Sequence, residues 1–309
     1  VKKICIVSGC FNEAGNVEEL VDRVSKVMEG LPQYNYEQVI IDNASTDGTQ
    51  DILRDLAKKN KFLKIIINAR NFGHIRSPYH GLLQGEGDAL IYLASDLQEP
   101  PELIPEMIRE WESGAKAVVA IKESSDESPL FFLVRRFYYL LVEGLAEIKT
   151  IQNFTGFGLY DHTIIEYCRN TADPSPYFRG QISEIGLKTK EIKYCQPGRK
   201  RGITKNNFFT LYDLAMLGIT NHSKIPLRLA AMLGFLMALL SLLVAFGYLI
   251  YKLLFWKNFP LGTAPLVIGL FFFSSVQLFF IGILGEYIGA IHTQVLNRPL
   301  VVENERINF

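Results

Sequence analysis

The chain lacks an excess of charge of either sign, with 32 Lys and Arg against 32 Asp and Glu in 309 residues. That balance excludes the basic footprint with which nucleic-acid binders neutralise phosphates, so no nucleic-acid partner is expected. Cysteine is scarce too. Cys5, Cys10, Cys168 and Cys195 show no C-x-x-C spacing and no grouping with the histidines, which disfavours a zinc centre and a disulfide framework. No G-x-G-x-x-G follows the first strand-like run and no G-x-x-x-x-G-K-[ST] occurs, so dinucleotide and P-loop readings both fail. The most informative scarcity is local: between residues 229 and 285 the only charges are Lys252 and Lys257. Elsewhere the charged fraction is about a quarter, as in soluble domains.

Leu229 to Tyr251 and Thr263 to Gly285 are each free of charge. At a helical rise of ~1.5 Å per residue each run crosses the roughly 30 Å of bilayer hydrocarbon. The intervening Lys257-Asn258-Phe259-Pro260-Leu261-Gly262 has turn composition, so the pair predicts a transmembrane hairpin. The expected organisation is a large polar domain at 1–206, an interfacial amphipathic segment at 207–228, and a hairpin at 229–292. Its spans lie at about 229–256 and 263–285, and a C-terminal tail follows at 293–309. Val1-Lys2-Lys3 leads straight into a short strand-like run, which predicts no signal peptide and a cytoplasmic large domain. A hairpin returns the tail to that side, with Lys224, Arg228, Arg298 and Arg306.

The polar two-thirds alternates short apolar runs with helical patterns. Strands are expected at Ile4 to Val7, Val39 to Ile41, Leu63 to Ile67, Ala89 to Leu93 and Ala117 to Ile121, with a helix in each gap. That alternation predicts an α/β fold, an open and mostly parallel sheet with helices on both faces. Such sheets bind ligands beyond the carboxyl ends of their strands. There the chain places Phe11-Asn12-Glu13, Asp42 to Thr49, and Asp96-Leu97-Gln98-Glu99-Pro100-Pro101-Glu102. Ser45, Thr46 or Asp47 is expected to cap the second helix. Asp42, ending an apolar strand, needs solvent or a partner, and a nucleoside's ring N–H or ribose would serve. Asp96 and Gln98, two residues apart on an extended segment, would offer two oxygens on one side to Mg2+ or Mn2+.

These residues resemble the motifs of the dolichol-phosphate mannose synthase-like, polyprenyl-phosphate glycosyltransferases of glycosyltransferase family two, in particular the bacterial undecaprenyl-phosphate type. Phe11-Asn12-Glu13, Asp42 to Thr49, Arg70-Asn71-Phe72-Gly73, Asp96 to Glu102 and Arg199-Lys200-Arg201-Gly202-Ile203-Thr204-Lys205 stand in the family's order, followed by the hairpin. The resemblance implies the nucleotide-sugar glycosyltransferase A fold. It also implies inverting transfer of a hexose, glucose from UDP-glucose foremost, to undecaprenyl phosphate at the bacterial inner membrane. Phe11, Glu13 and Asp42 would then hold the nucleoside, and Asp96 and Gln98 the metal on the diphosphate. Lys122 joins Asp96, Arg199 and Lys205 as a catalytic candidate, and Arg136, Arg179, Arg199 and Lys205 are the candidates for the acceptor phosphate. A homo-oligomer is left open. A processive polysaccharide synthase is disfavoured by the absence of Q-x-x-R-W, and a non-enzymatic sugar-nucleotide-binding scaffold is the further alternative.

Two departures stand out. Ala94 occupies the first acidic position of the family's D-x-D, and Thr155-Gly156-Phe157 stands where many relatives read T-G-D. The second removes a proposed general base, for which Asp161 and Glu184 are weak substitutes. A lipid phosphate with a second pKa of about 6 is already mostly ionised at neutral pH, so no base is expected.

Overall fold

A computed structural model of the chain describes residues 1–123, 151, 153–171, 173–198, 216, 220, 223–255 and 263–309. The five expected strands form as β1 (Lys3–Cys10), β2 (Asn35–Asp42), β3 (Leu63–Asn68), β4 (Ala89–Tyr92) and β5 (Ala117–Lys122). Between them lie α1 (Val17–Glu29), α2 (Thr49–Lys59), α3 (Arg76–Gln84) and α4 (Ile104–Glu112). Four further elements follow: β6 (Phe154–Asp161), α5 (His162–Thr171), α6 (Phe178–Ile185) and β7 (Thr189–Tyr194). The helices α7 (Ile225–Leu254) and α8 (Thr263–Leu296) and the strand β8 (Glu303–Ile307) complete the described chain.

The sheet order is β7-β5-β6-β4-β1-β2-β3-β8. β4, β1, β2 and β3 are parallel neighbours. β6 is inserted antiparallel between β4 and β5, so β5 keeps the direction of the first four strands. The order of winding reverses between β1 and β4, which makes the crevice at their carboxyl ends the switch point where such sheets bind ligands.

Strand alternation divides the core between two faces. Ile4 and Ile6 of β1 join Leu20 and Val24 of α1 and Met107 and Trp111 of α4. Cys5 and Val7 face the other way, toward Tyr79 and Leu82 of α3, Ile164 of α5 and Ile182 of α6. Helix α1 fits its face because Val17, Leu20, Val21, Val24 and Met28 fall on one helical stripe, and all are buried.

The hairpin helices invert that pattern. Phe235 is 75% exposed, Leu266 71% and Val295 78%. Among the described residues, Gly269–Leu296 is long and apolar enough to cross a membrane, and the described apolar stretch of α7, Ile225–Ser241, is shorter. The second span, expected to end at Gly285, continues helically through Glu286 to Leu296 and stops at Asn297, whose φ of 42° is a left-handed helix end. At the hairpin's base the Tyr287 hydroxyl donates to the Ser223 carbonyl at 2.6 Å.

The expected C-terminal tail is a strand. β8 pairs antiparallel with β3, Ile307 opposite Ile65 and Glu305 opposite Ile67. Arg54 donates to Glu305 at 2.8 Å, and the Asn308 amide donates to the carbonyls of Ala57 (2.9 Å) and Leu63 (2.8 Å). Three residues along α3 also hold the tail. Arg76 donates to the Pro299 carbonyl at 2.6 Å, His80 meets Glu303 at 2.6 Å, and Gln84 accepts from Arg306 at 2.7 Å.

Candidate active site

The carboxyl ends of β1 and β2 finish level, Cys10 opposite Asp42, so their loops leave the sheet side by side. They are then stitched together. Asn12, held at φ 57°, donates its backbone N–H to the Ser45 hydroxyl (2.8 Å) and accepts from the Thr46 N–H (2.9 Å). The Glu13 N–H donates to Thr49 Oγ1 at 3.0 Å, and the Glu13 carboxylate accepts from the Asn16 amide at 2.5 Å. Phe11 is half-buried in the same turn. None of the three capping candidates is the N-cap of α2, which is Gly48 at φ 92°; Asp47, one residue before it, accepts the Thr49 N–H with its Oδ1 at 3.1 Å.

Asp42 is fully buried. Its Oδ2 accepts from the Ser45 N–H at 2.9 Å and the Gln50 amide at 3.1 Å, while the buried Oδ1 has no hydrogen-bond partner among the described residues. Burial raises its pKa, the bonds from Ser45 and Gln50 oppose that, and the Asp47 charge adds to it. Asn43 ties in the loop after β3. Its Oδ1 accepts the Phe72 N–H at 2.8 Å, and its amide donates to Asn71 Oδ1 at 2.9 Å. The Arg70-Asn71-Phe72-Gly73 motif is thereby a turn anchored on β2, with the Arg70 guanidinium 4.1 Å from the Phe72 ring centre.

The loop after β4 docks on β1 through the Ser95 hydroxyl, which donates to the Gly9 carbonyl at 2.9 Å. The expectation of an extended Asp96-Leu97-Gln98 is corrected: Leu97 has φ 61°, so a turn, not strand alternation, sets the two side chains. The Gln98 N–H donates to Asp96 Oδ1 at 3.2 Å and the Gln98 amide donates to the Pro197 carbonyl at 3.3 Å. Pro101 starts a single 3-10 turn, Pro101–Leu103, that runs into α4, as the Pro100-Pro101 pair predicts.

Among the described residues no three His, Cys, Asp or Glu side chains cluster as a metal cage. One carboxylate and one amide oxygen on a tight turn are nevertheless a donor set suited to Mg2+ or Mn2+, since such hard cations take one or two carboxylates, keep waters and share substrate phosphate oxygens. Asp96 and Gln98 therefore fit a cation held jointly with a diphosphate.

Glu99 is the residue that sequence reasoning passed over. It is 5% exposed, and its two oxygens accept from the Ala94 N–H (2.6 Å) and the Thr155 hydroxyl (2.8 Å). It thereby binds the β4 loop to the start of β6. Burial pushes its pKa up to about 7, against the two hydrogen bonds and with the help of the Asp96 charge. The signal was an acid beside Pro-Pro in a loop closed by apolar strands.

Lys122 ends β5 on the same edge of the sheet, its N–H donating to the Asn153 carbonyl at 3.3 Å. Arg179, in the first turn of α6, donates to the Phe154 carbonyl at 3.2 Å and lies 5.5 Å from the Tyr177 ring centre. Arg136, Arg199 and Lys205 lie outside the described residues, as does most of the expected interfacial segment. Phe157 is fully buried, edge-on to Tyr194 at 5.6 Å. Asp161 is excluded as a substitute base. It pairs with Ala89 at the amino end of β4, the far edge of the sheet, where Trp111 and Lys116 donate to it at 2.8 and 3.1 Å. Glu184 is exposed near the end of α6.

The profile of the family described as Glycosyl transferase family 2 matches residues 5–179, and that of the GtrB C-terminal hairpin matches residues 225–291. The SfII prophage-derived bactoprenol glucosyl transferase of Shigella flexneri is 33% identical over 96% of this chain and 96% of its own. The Bacillus subtilis (strain 168) protein named uncharacterized glycosyltransferase YkcC is 32% identical over 98% of this chain and 95% of its own. Among solved structures, mannosyl-3-phosphoglycerate synthase from Rubrobacter xylanophilus superposes with a TM-score of 0.50 at 13% identity. The match spans 70% of this chain and 71% of that one, a likeness of fold.

Proposed function

This chain belongs to glycosyl transferase family 2, and from that premise we propose that it transfers glucose from UDP-glucose to a polyprenyl phosphate, inverting the anomeric carbon. The chain is a glycosyltransferase with a membrane-associating hairpin, and the finer reading has several supports. The matched relatives named bactoprenol glucosyl transferase run almost its whole length. The observation that carries the reading is the docking of β8 on β3, which brings the exit of the apolar hairpin back to the sheet whose carboxyl edge holds the polar loops. A lipid substrate and a water-soluble one then meet at one site. The catalytic domain and the tail share one side of the membrane, which we assign to the cytoplasm, where nucleotide sugars are available.

In this reading Phe11, Glu13 and Asp42 receive the nucleoside. The Asp42 Oδ1, without a partner among the described residues, is an acceptor for an N–H or hydroxyl that they do not supply. Asp96 and Gln98 would hold a divalent cation, which when bound offsets the charge that develops on the departing diphosphate. The leaving group is UDP, and the C–O bond forms from a phosphate oxygen of the lipid. That oxygen needs no protein base, because a phosphate with a second pKa of about 6 is mostly dianionic at pH 7. The buried Phe157 and the remote Asp161 agree with a mechanism that holds and aligns a ready nucleophile. Lys122 and Arg179 supply positive charge on the edge the lipid phosphate approaches.

The test offers a panel of labelled nucleotide sugars with undecaprenyl phosphate and Mg2+ or Mn2+ to the protein in lipid nanodiscs. Glucose from UDP-glucose is expected in the lipid fraction, with the opposite anomeric configuration by NMR. Preference for another nucleotide sugar, or a retained anomer, overturns the donor or the stereochemistry. Growth of a polymer without lipid phosphate favours a processive synthase.

A further inference from the structure

Helix α3 presents one side to the tail and the other to a cavity of about 310 Å³. Ile75, Pro78, Tyr79 and Leu82 form the α3 wall, Tyr92 and Thr155-Gly156 the floor, and Pro176 to Arg179 the opposite wall. Two of these touch the site directly. Tyr92 is the last residue of β4, and Thr155 donates to Glu99 beside the Asp96 turn. The cavity therefore adjoins the place where the donor's diphosphate would be held.

Its chemistry is one-sided. Among the described residues its charged or basic groups are His74 and Arg179, no carboxylate lines it, and neither group is in an ion pair. Arg179 gives one N–H to Phe154 and leaves the rest of its guanidinium without a hydrogen-bond partner among the described residues. The remaining lining is largely aliphatic and aromatic. A hexose, neutral and ringed with hydroxyls, would be met by carboxylates and amides as well as aromatic faces. One arginine cation with an imidazole beside it, whose pKa burial and the Arg179 charge lower, set over apolar walls, matches a phosphate carried on a hydrocarbon. The volume is that of roughly ten water molecules, enough for a head group and the first isoprene unit but not for a long chain.

The exit of the hairpin lies against the other side of the same helix. Arg76, in the first turn of α3, holds Pro299 at the exit of α8, and Leu300 packs against the same core group as Tyr79 and Leu82. On this tail side of α3, burial and the charges of Arg70 and Arg298 hold Arg76 below the ordinary arginine range. We propose that this cavity seats the acceptor, its phosphate against Arg179 and His74 and its first isoprene unit against Ile75, Pro78 and Leu82. The proposal rests on the polyprenyl-phosphate reading and adds the seat, the role of His74 and the apolar wall.

The test uses the full chain in nanodiscs and farnesyl phosphate as a short probe. Farnesyl phosphate should compete with undecaprenyl phosphate in the transfer assay, whereas farnesol and inorganic phosphate each compete at least about tenfold more weakly. Arg179→Gln should raise the KM for undecaprenyl phosphate by about tenfold, the worth of a charge-assisted hydrogen bond, with the affinity for UDP unchanged in calorimetry. His74→Ala, at an exposed position, should raise it a few-fold with the fold undisturbed. Ile75→Trp, filling the cavity, should erase the advantage of farnesyl phosphate over inorganic phosphate. Unchanged lipid KM in both Arg179→Gln and His74→Ala overturns the proposal, as does loss of UDP binding in Ile75→Trp. If the wild type transfers no sugar to lipid, the reaction reading has failed. Calorimetric binding of farnesyl phosphate that is lost in Arg179→Gln would then still support the seat, and no binding to the wild type would refute it.

Discussion

The two edges of the central sheet handle charge in opposite ways. At the amino edge acids and bases are matched: Glu37 lies between Lys3 (2.7 Å) and Lys64 (2.8 Å), and Asp161 takes Lys116 at 3.1 Å with the Trp111 indole. At the carboxyl edge Asp42 and Glu99 are bonded by neutral donors, and Arg70, Arg179 and Arg298 are in no ion pair among the described residues. Matched charges serve the fold, since each removes a desolvation penalty that the other would suffer alone. Charges left unmatched store that interaction for a ligand, and a nucleoside diphosphate, a cation and a lipid phosphate are the most highly charged partners such a site can meet.

The comparison breaks most visibly at Asp96. Asp96→Asn should lower turnover by a hundredfold or more, on the order of what removing one preorganised electrostatic group costs. Thermal stability should stay within about 0.5 kcal/mol, as for a loop side chain that supports no core. Activity should likewise vanish on chelation and return with Mg2+ or Mn2+. An Asp96→Asn protein with wild-type turnover in chelator would refute the metal role and with it the claim that this edge is kept for ligands.

The opposite outcome is expected at the amino edge. For Asp161, burial pushes the pKa up, but the bonds from Trp111, Thr163 and Lys116 win and hold it at about 2. A folded pKa below the unfolded one gives stability that is complete above about pH 4 and is lost as the pH falls toward 2. Asp161→Asn should therefore cost on the order of 2 kcal/mol at pH 7, read by urea denaturation, and flatten the acid limb. Its kcat should stay within a factor of about two, because the residue is a sheet's length from the chemistry. A loss of turnover without a loss of stability would restore Asp161 as a base.

What was legible in the residues follows the same division. The first five strands and four helices could be read because each carries its own period, as Val17, Leu20, Val21, Val24 and Met28 do for α1. β6 could not, since Phe154-Thr-Gly-Phe-Gly-Leu-Tyr160 carries glycines that usually argue against a strand. Gly158 is required there because a Cβ would strike the Val118 carbonyl of β5, a contact no local pattern reveals. β8 reads as a solvated charged tail, Glu303 to Arg306, until β3 offers it an edge. The polar loops after β1, β2 and β4 were legible as neighbours at one edge of the sheet. The cavity beside α3 was not, because His74, Tyr92, Thr155 and Arg179 meet only through the inserted β6 and the turn into α6.

The smallest expected effect is at Glu99, and its sign is the sharpest form of the comparison. Its folded pKa of about 7 lies above the ordinary carboxylate value, so the fold favours the protonated form. The penalty is absent below about pH 4.5, grows as the pH rises through the window to 7, and is complete above it. Glu99→Gln keeps an acceptor for either the Ala94 N–H or the Thr155 hydroxyl and never ionises. In chelator at pH 8 it should be more stable than wild type by on the order of 1 kcal/mol, the lost second hydrogen bond offsetting part of the relief. The gain should shrink toward zero or reverse at pH 4.5, where the wild type is already neutral. Denaturation curves of the two proteins at pH 4.5 and 8 decide it. A variant less stable at pH 8 than at pH 4.5, relative to wild type, would mean that Glu99 is held ionised like Asp161, and the two edges of the sheet would not differ in kind.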